Sequence, residues 1–163
     1  MQRVLVSACL LGAKVRYHGG SAVSADPVLR RWAEEGRLVP ICPEVDGGLP
    51  TPRPPAEIRP SPDERGRRIL RVVTSDGRDV SEPYRAGAEG AAAAARRLGI
   101  RVAVLKDGSP SCGSSFVYDG TFTGTRVGGE GLTTATLRAA GVRVFSETQV
   151  AEAAAWLDEL ETR

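Results

Sequence analysis

Three cysteines carry the strongest chemical signal in this sequence, because each follows an apolar run and begins an irregular segment. The apolar runs are typical of buried strands, and open α/β sheets bind ligands beyond the carboxyl ends of their strands. We therefore expect three sulfur atoms, far apart in sequence, to meet at one edge of one sheet. The chain has no other cysteine, and the three lie in these segments: Cys9 in VLVSACLLG, Cys42 in LVPICPE and Cys112 in VAVLKDGSPSCG.

Three thiols that share a site favour metal binding, since they cannot all pair as disulfides. Structural zinc takes four ligands, usually with close Cys-x-x-Cys pairs, and the sequence contains no such pair. A zinc site completed by the single histidine, His18, stays possible. An iron–sulfur cluster fits the residues better, because cysteines are its usual ligands and one iron can remain open as a Lewis acid.

Two polar side chains close to the cysteines are candidates for proton transfer. Glu44 lies two residues after Cys42, and an extended Cys-Pro-Glu segment directs its carboxylate toward the same space as the sulfur. Ser109 begins the segment Ser-Pro-Ser-Cys-Gly and offers a hydroxyl as a hydrogen-bond donor or proton relay. The ordinary alternatives are a surface glutamate and a serine of a polar turn.

The composition limits the classes of partner and compartment. At 163 residues the chain is expected to form one domain, residues 1–163. A net charge of +2 and an aromatic content of 5% give no basis for a nucleic-acid partner or a base-stacking surface. No stretch is long enough to span a membrane, and the apolar start reads as a strand rather than a signal peptide. An odd number of cysteines then indicates a reducing cytoplasm.

Strand and helix patterns alternate along most of the chain. This alternation predicts a single-domain α/β fold, in which a mostly parallel sheet has helices on both faces in a Rossmann-like three-layer arrangement. Two segments depart from it: the proline-rich residues 46–62 are expected to form an ordered loop over the sheet edge, and residues 116–122 a small hairpin about Asp119-Gly120. Predicted strands cover residues 3–8, 37–41, 67–74, 101–105 and 142–145, and predicted helices residues 26–36, 81–98, 130–140 and 148–160.

Segments spread over the chain, from Val4 to about Glu147, together resemble the bacterial thiouracil desulfurase family. The Cys-Pro-Glu and Ser-Pro-Ser-Cys-Gly segments are the most specific part of the resemblance. The segments are SACLLG, CPEVDGGLPTPRPPAEI, DGRDVSEPYRAGA, LKDGSPSCG, YDGTFTGT, GEGLTTATLRAAG and VFSE.

The resemblance implies a 4Fe-4S cluster with three cysteine ligands and one open iron, and it assigns Cys9, Cys42 and Cys112 as those ligands. It implies removal of sulfur from thiolated uracil, of the 2-thiouracil type, to give uracil and hydrogen sulfide without net oxidation or reduction. The open iron would bind the substrate sulfur. Glu44 would activate the attacking water or relay its protons, and Ser109 would assist that transfer.

Two alternatives of other classes accompany this expectation: an iron–sulfur sensor or sulfur-carrier module without turnover, and a structural zinc protein. An acid/base pair beside the ligands favours an enzyme, because a sensor has no need of Glu44 and Ser109. The expected partner is a small thiolated pyrimidine rather than a nucleic acid or a membrane.

Overall fold

A four-stranded parallel sheet forms the centre of the fold in the computed structural model, which describes all residues 1–163. The strand order is β2-β1-β5-β8, so the first strand lies in the interior and neighbours β2 and β5. All four strands point the same way, and their carboxyl ends therefore share one edge. The strands are β1 Val4–Ser7, β2 Leu38–Ile41, β5 Val102–Leu105 and β8 Arg143–Ser146.

Helices cover both faces of this sheet, which confirms the predicted three-layer α/β arrangement. One face packs against Leu29 and Trp32 of α1 and the apolar side of α5. The other face packs against the alanines of α3 and Leu137 of α4. The helices are α1 Pro27–Glu34, α2 Pro43–Asp46, α3 Ser81–Leu98, α4 Leu132–Ala139 and α5 Val150–Thr162. None of them is long and apolar enough to cross a membrane.

The helix boundaries follow signals in the sequence. Asp26 is the N-cap of α1, and its Oδ1 accepts a hydrogen bond of 2.8 Å from the amide of Val28. Gly99 ends α3 in the left-handed region with φ 65°, a conformation that glycine adopts without strain. Both positions agree with the predicted start and stop.

The prediction of an irregular segment over residues 46–62 is wrong in its second half. Ala56–Pro62 forms β3, which pairs antiparallel with β4, Arg68–Thr74, in a separate two-stranded sheet. Pro60 and Pro62 fit there because each strand of such a ribbon has an open edge that needs no N–H donors. The first half, residues 47–55, is irregular as expected.

The small hairpin near residue 120 is also larger than predicted. β6, Phe116–Tyr118, pairs antiparallel with β7, Arg126–Gly128, and residues 119–125 connect them. Asp119-Gly120 therefore begins a long loop and is not a two-residue turn. The β3–β4 and β6–β7 ribbons lie outside the parallel sheet, and both contribute residues to a cavity at the carboxyl ends of its strands.

Candidate active site

A cavity of about 500 Å³ lies beyond the carboxyl ends of the parallel strands, and all three cysteines line it. Cys9 follows β1 in the short turn Ala8–Leu11, Cys42 follows β2 directly, and Cys112 lies in the loop after β5. The expected convergence of the three sulfurs is thus what the fold produces.

All three cysteines are free thiols, and Cys9 and Cys112 are buried while Cys42 is half-buried. Burial raises the pKa of each thiol, and for Cys112 it does so to about 12. The hydroxyl oxygen of Ser111 lies 3.6 Å from Cys112 Sγ, within hydrogen-bond distance of the sulfur. Stable thiolates at these positions need a strongly positive centre beside them.

The donor set does not suit a single metal ion. No three His, Cys, Asp or Glu side chains lie close enough together to hold one. His18 is exposed and does not line the cavity; its Nδ1 accepts a hydrogen bond from the amide of Gly20. The zinc site completed by His18 is therefore not supported. An iron–sulfur cluster is the alternative that cysteine ligands without a histidine would suit.

Glu44 lines the same cavity and is held by three side chains that the sequence did not single out. Its Oε1 accepts hydrogen bonds from Arg53 Nε at 3.0 Å and from the Tyr84 hydroxyl at 2.9 Å. Its Oε2 accepts one from Ser111 Oγ at 2.8 Å. Burial and the nearby Glu44 charge raise the pKa of Tyr84 far above its usual value, so its hydroxyl stays a donor.

Arg53 connects the separate segments that form this side of the cavity. Its Nη2 donates to the carbonyl of Val15 in the Cys9 segment at 2.8 Å and lies 3.0 Å from Glu44 Oε1. Its Nη1 donates to the carbonyl of Pro50. Two features of the sequence could have indicated these residues. Arg53 is the only arginine within the proline-rich residues 50–55, and Tyr84 is the only aromatic residue of α3.

Ser109 lies at the cavity but does not contact Glu44. Its Oγ accepts a hydrogen bond from the amide of Cys112 at 2.8 Å and lies 3.2 Å from Ser111 Oγ. Ser111 in turn donates to Glu44. The hydroxyls therefore form a chain from Ser109 through Ser111 to the carboxylate, in which Ser111 is the direct partner.

Two glycines allow the Cys-Pro-Glu segment to pack closely on α3. A Cβ atom at Gly87 would lie 1.9 Å from the carbonyl oxygen of Pro43, and one at Gly47 would lie 2.0 Å from that of Pro83. Only glycine permits this approach. The contact sets the position of Glu44 on α2 relative to Tyr84 on α3.

The start of α4 supports the loop that carries Cys112. The amides of Thr133 and Thr134 donate to the carbonyl of Ser111, and the Thr134 hydroxyl donates to that of Cys112. A Cβ atom at Gly131, the N-cap of α4, would lie 2.4 Å from the Ser111 carbonyl oxygen. This close entry fixes Ser111 and Cys112 against a regular helix.

Comparison with known proteins identifies the family to which this chain belongs. The 2-thiouracil desulfurase family matches residues 4–149, and the chain belongs to that family.

Two relatives are similar over nearly their whole lengths. The uncharacterized protein YbbK of Bacillus subtilis (strain 168) is 43% identical over 151 residues, which cover 90% of this chain and 97% of YbbK. The solved structure of TudS, described as a [4Fe-4S]-dependent thiouracil desulfidase, superposes with a TM-score of 0.89 at 48% identity. That match covers 97% of this chain and 99% of TudS, and it agrees with the fold described above.

Proposed function

We propose that this protein removes sulfur from a small thiolated uracil and uses a 4Fe-4S cluster held by Cys9, Cys42 and Cys112. The observation that carries the proposal is the meeting of three free thiols with one anchored carboxylate, Glu44, in a single cavity. Membership of the desulfurase family and the likeness to a [4Fe-4S]-dependent desulfidase support it.

The donor set fits such a cluster. It consists of three soft sulfur ligands and no fourth cysteine or histidine at the cavity, and soft ligands select iron–sulfur chemistry. When bound, the cluster supplies an iron without a cysteine ligand as a Lewis acid for the thiocarbonyl sulfur.

Glu44 is the proposed general base and acid. Arg53 and Tyr84 both donate hydrogen bonds to Oε1, whereas Oε2 accepts one only from the Ser111 hydroxyl. Oε2 is therefore the oxygen available for proton exchange. Glu44 takes a proton from water as the water oxygen adds to the ring carbon, and returns it as sulfur departs. The oxygen ends on uracil, both protons of the water leave in hydrogen sulfide, and no electrons are exchanged.

Ser109 acts in this scheme through Ser111. Its hydroxyl is fixed by the amide of Cys112, and its proton can point to Ser111 Oγ, which donates to Glu44. We assign Ser109 to this relay, with Ser111 as the group that contacts the base.

The proposed substrate is a free thiolated pyrimidine and not an RNA. A cavity of about 500 Å³ is in the size range of small-molecule sites, and the net charge of +2 provides little attraction for a polyanion. Free thiols at all three cysteines suit a reducing compartment, and we propose the cytoplasm. A sensor or carrier without turnover is less well supported, because it leaves the anchored base unexplained.

Anaerobic reconstitution with iron and sulfide, followed by measurement of sulfide released from 2-thiouracil, tests the proposal. The reconstituted protein is expected to turn brown and to form uracil and sulfide in equal amounts. A protein that becomes brown but releases no sulfide would support the sensor alternative.

Glu44→Gln tests the assigned base. The amide keeps the shape and an acceptor oxygen but cannot take the proton, so we expect kcat to fall about 10²- to 10⁴-fold while the cluster is retained. Glu89→Gln, at an exposed position of α3, is the matched control and should leave kcat unchanged. Full turnover by Glu44→Gln would remove Glu44 from the mechanism.

A further inference from the structure

The few aromatic residues of this chain are concentrated around the cavity. Only eight residues are Phe, Tyr or Trp, and five of them line it: Tyr17, Tyr84, Phe116, Tyr118 and Phe122. The aromatic content of the whole chain is low, but the cavity is rich in aromatic side chains. Such a cavity is suited to a flat heteroaromatic ring.

Phe122 is the one aromatic residue of this group whose ring has no aromatic, cation or hydrogen-bond partner within the protein. Phe116 and Tyr118 pack edge to face with ring centroids 6.0 Å apart, and Arg126 lies over Phe116. Tyr17 packs edge-on against His18, and Tyr84 is buried with its hydroxyl on Glu44. Phe122 has neither an aromatic nor an arginine partner and is half-exposed at the cavity.

The backbone of Phe122 adopts a conformation that a bulky residue rarely accepts. With φ 58°, it is the one non-glycine residue of the chain in the left-handed region. Such a conformation costs free energy and persists only where the surroundings enforce it, often at ligand-binding sites. A glycine would meet the backbone requirement at lower cost, so the phenyl ring itself calls for an explanation.

Glu57 of β3 is the group that enforces this conformation. Its Oε1 accepts hydrogen bonds from the amides of Gly120 at 2.9 Å and Phe122 at 3.2 Å. Arg59 on the same strand donates through Nη2 to the carbonyl of Gly120 at 2.7 Å. The loop that carries Phe122 is thus tied to the other ribbon, which restrains the backbone at Phe122.

We propose that Phe122 stacks on the ring of the thiolated pyrimidine and that Glu57 is the positioning residue that holds it there. This inference rests on the proposed function, because it names how that substrate is bound. Stacking on a π face gives binding that does not depend on the ring substituents. The ring contact is present before and after sulfur leaves, so it lowers KM and leaves kcat unchanged.

Kinetics of the reconstituted enzyme with 2-thiouracil, and equilibrium dialysis of radiolabelled uracil with the same protein, test the stacking contact. For Phe122→Leu we expect KM and the Kd of uracil to rise together by about tenfold, with kcat within about twofold of wild type. Phe122→Trp, which keeps a π face, should stay within about threefold in both constants. Thr123→Ala, on the same loop but outside the cavity lining, is the control.

A double-mutant cycle tests the positioning role of Glu57. Glu57→Ala frees the two amides and should raise KM nearly as much as Phe122→Leu, and the double variant should be no worse than Phe122→Leu alone. Glu57→Gln keeps an acceptor oxygen and should restore a wild-type KM. If Glu57 acted only through its negative charge, Glu57→Gln would instead raise KM as much as Glu57→Ala does.

The outcomes separate this inference from the function on which it rests. If wild type turns over 2-thiouracil and Phe122→Leu leaves KM and the uracil Kd within about twofold, the stacking role is overturned and the function stands. If wild type releases no sulfide, the function fails, and dialysis still decides the stacking role. Uracil binding that weakens in Phe122→Leu then supports the role, and absence of uracil binding to wild type overturns it.

Discussion

The floor and the rim of the cavity are built in different ways. The floor, formed by the three cysteines, Glu44 and Ser111, is tied to regular elements by side-chain and backbone hydrogen bonds. The rim, formed by the β6–β7 ribbon with residues 116–128, is partly exposed, and its aromatic rings face the cavity. A rigid, hydrogen-bonded floor suits the chemical step, and a more open rim suits recognition of the ring. Floor variants should therefore change kcat, cluster content or stability, and rim variants should change KM.

Removal of a proposed cluster ligand should have the largest effect. Cys112→Ser replaces a buried sulfur by a harder oxygen, so the reconstituted protein should hold less iron, lose its brown absorbance and release no detectable sulfide. Iron and sulfide analysis with visible spectroscopy measures this. Ser114→Ala, two residues away, is the control, because it removes a buried hydroxyl that has no hydrogen-bond partner. A stable, fully loaded cluster in Cys112→Ser would contradict the ligand assignment.

The packing of α3 under the floor should give the next largest effect. In Gly87→Ala the new methyl group would meet the Pro43 carbonyl oxygen at 1.9 Å, so the Cys-Pro-Glu segment must move. We expect the free energy of unfolding to fall by about 3 kcal/mol and kcat to fall as Glu44 is displaced. Urea unfolding and steady-state kinetics measure the two effects.

Gly90 on the same helix supplies a matched comparison. A Cβ atom there meets nothing within 4 Å, and the position is exposed. Gly90→Ala should therefore raise the free energy of unfolding by about 0.5 to 1 kcal/mol and leave kcat unchanged. Equal losses of stability in both variants would show that helix α3, and not its contact with Pro43, is sensitive.

The hydroxyl of Tyr84 should contribute less than the packing but more than any rim contact. Tyr84→Phe removes one of the two donors on Glu44 Oε1 and keeps the buried ring. A hydrogen bond to a charged group is worth about 1.5 to 3 kcal/mol, so the free energy of unfolding should fall toward the lower end of that range. We also expect a lower kcat at unchanged KM. A change confined to KM would place Tyr84 with the rim instead.

The convergence of the cysteines could be predicted because it depends on a general property of parallel sheets. Once VLVS, LVPI and VAVL are read as parallel strands, Cys9, Cys42 and Cys112 must approach one edge. Glu44 was expected beside Cys42 for another reason, an extended Cys-Pro-Glu segment. It does line the cavity, but the segment is not extended, because Pro43–Asp46 forms the short helix α2. Neither argument could find Arg53 or Tyr84, since their contacts with Glu44 depend on how the proline-rich segment folds back and on the phase of α3.

The two antiparallel ribbons were harder to predict, and for different reasons. The prolines of β3 argue against a strand when its place in the sheet is unknown, although a two-stranded ribbon tolerates them at its open edge. The position of Phe122 depends on a hydrogen bond to Glu57, which lies far away in the sequence. An aromatic content averaged over the whole chain also hid the local concentration around the cavity.

Arg126 on the rim should have the smallest effect. Its guanidinium lies 4.2 Å from the centroid of the Phe116 ring, and the arginine is exposed, so this contact is worth no more than about 1 kcal/mol. Arg126→Gln should therefore leave kcat unchanged, lower the free energy of unfolding by less than Tyr84→Phe does, and raise KM for 2-thiouracil by less than Phe122→Leu does. Urea unfolding and steady-state kinetics check this against Arg68→Gln, an exposed control on β4. If Arg126→Gln raised KM more than Phe122→Leu does, the rim would recognise 2-thiouracil through the positive charge of Arg126 rather than through an aromatic face.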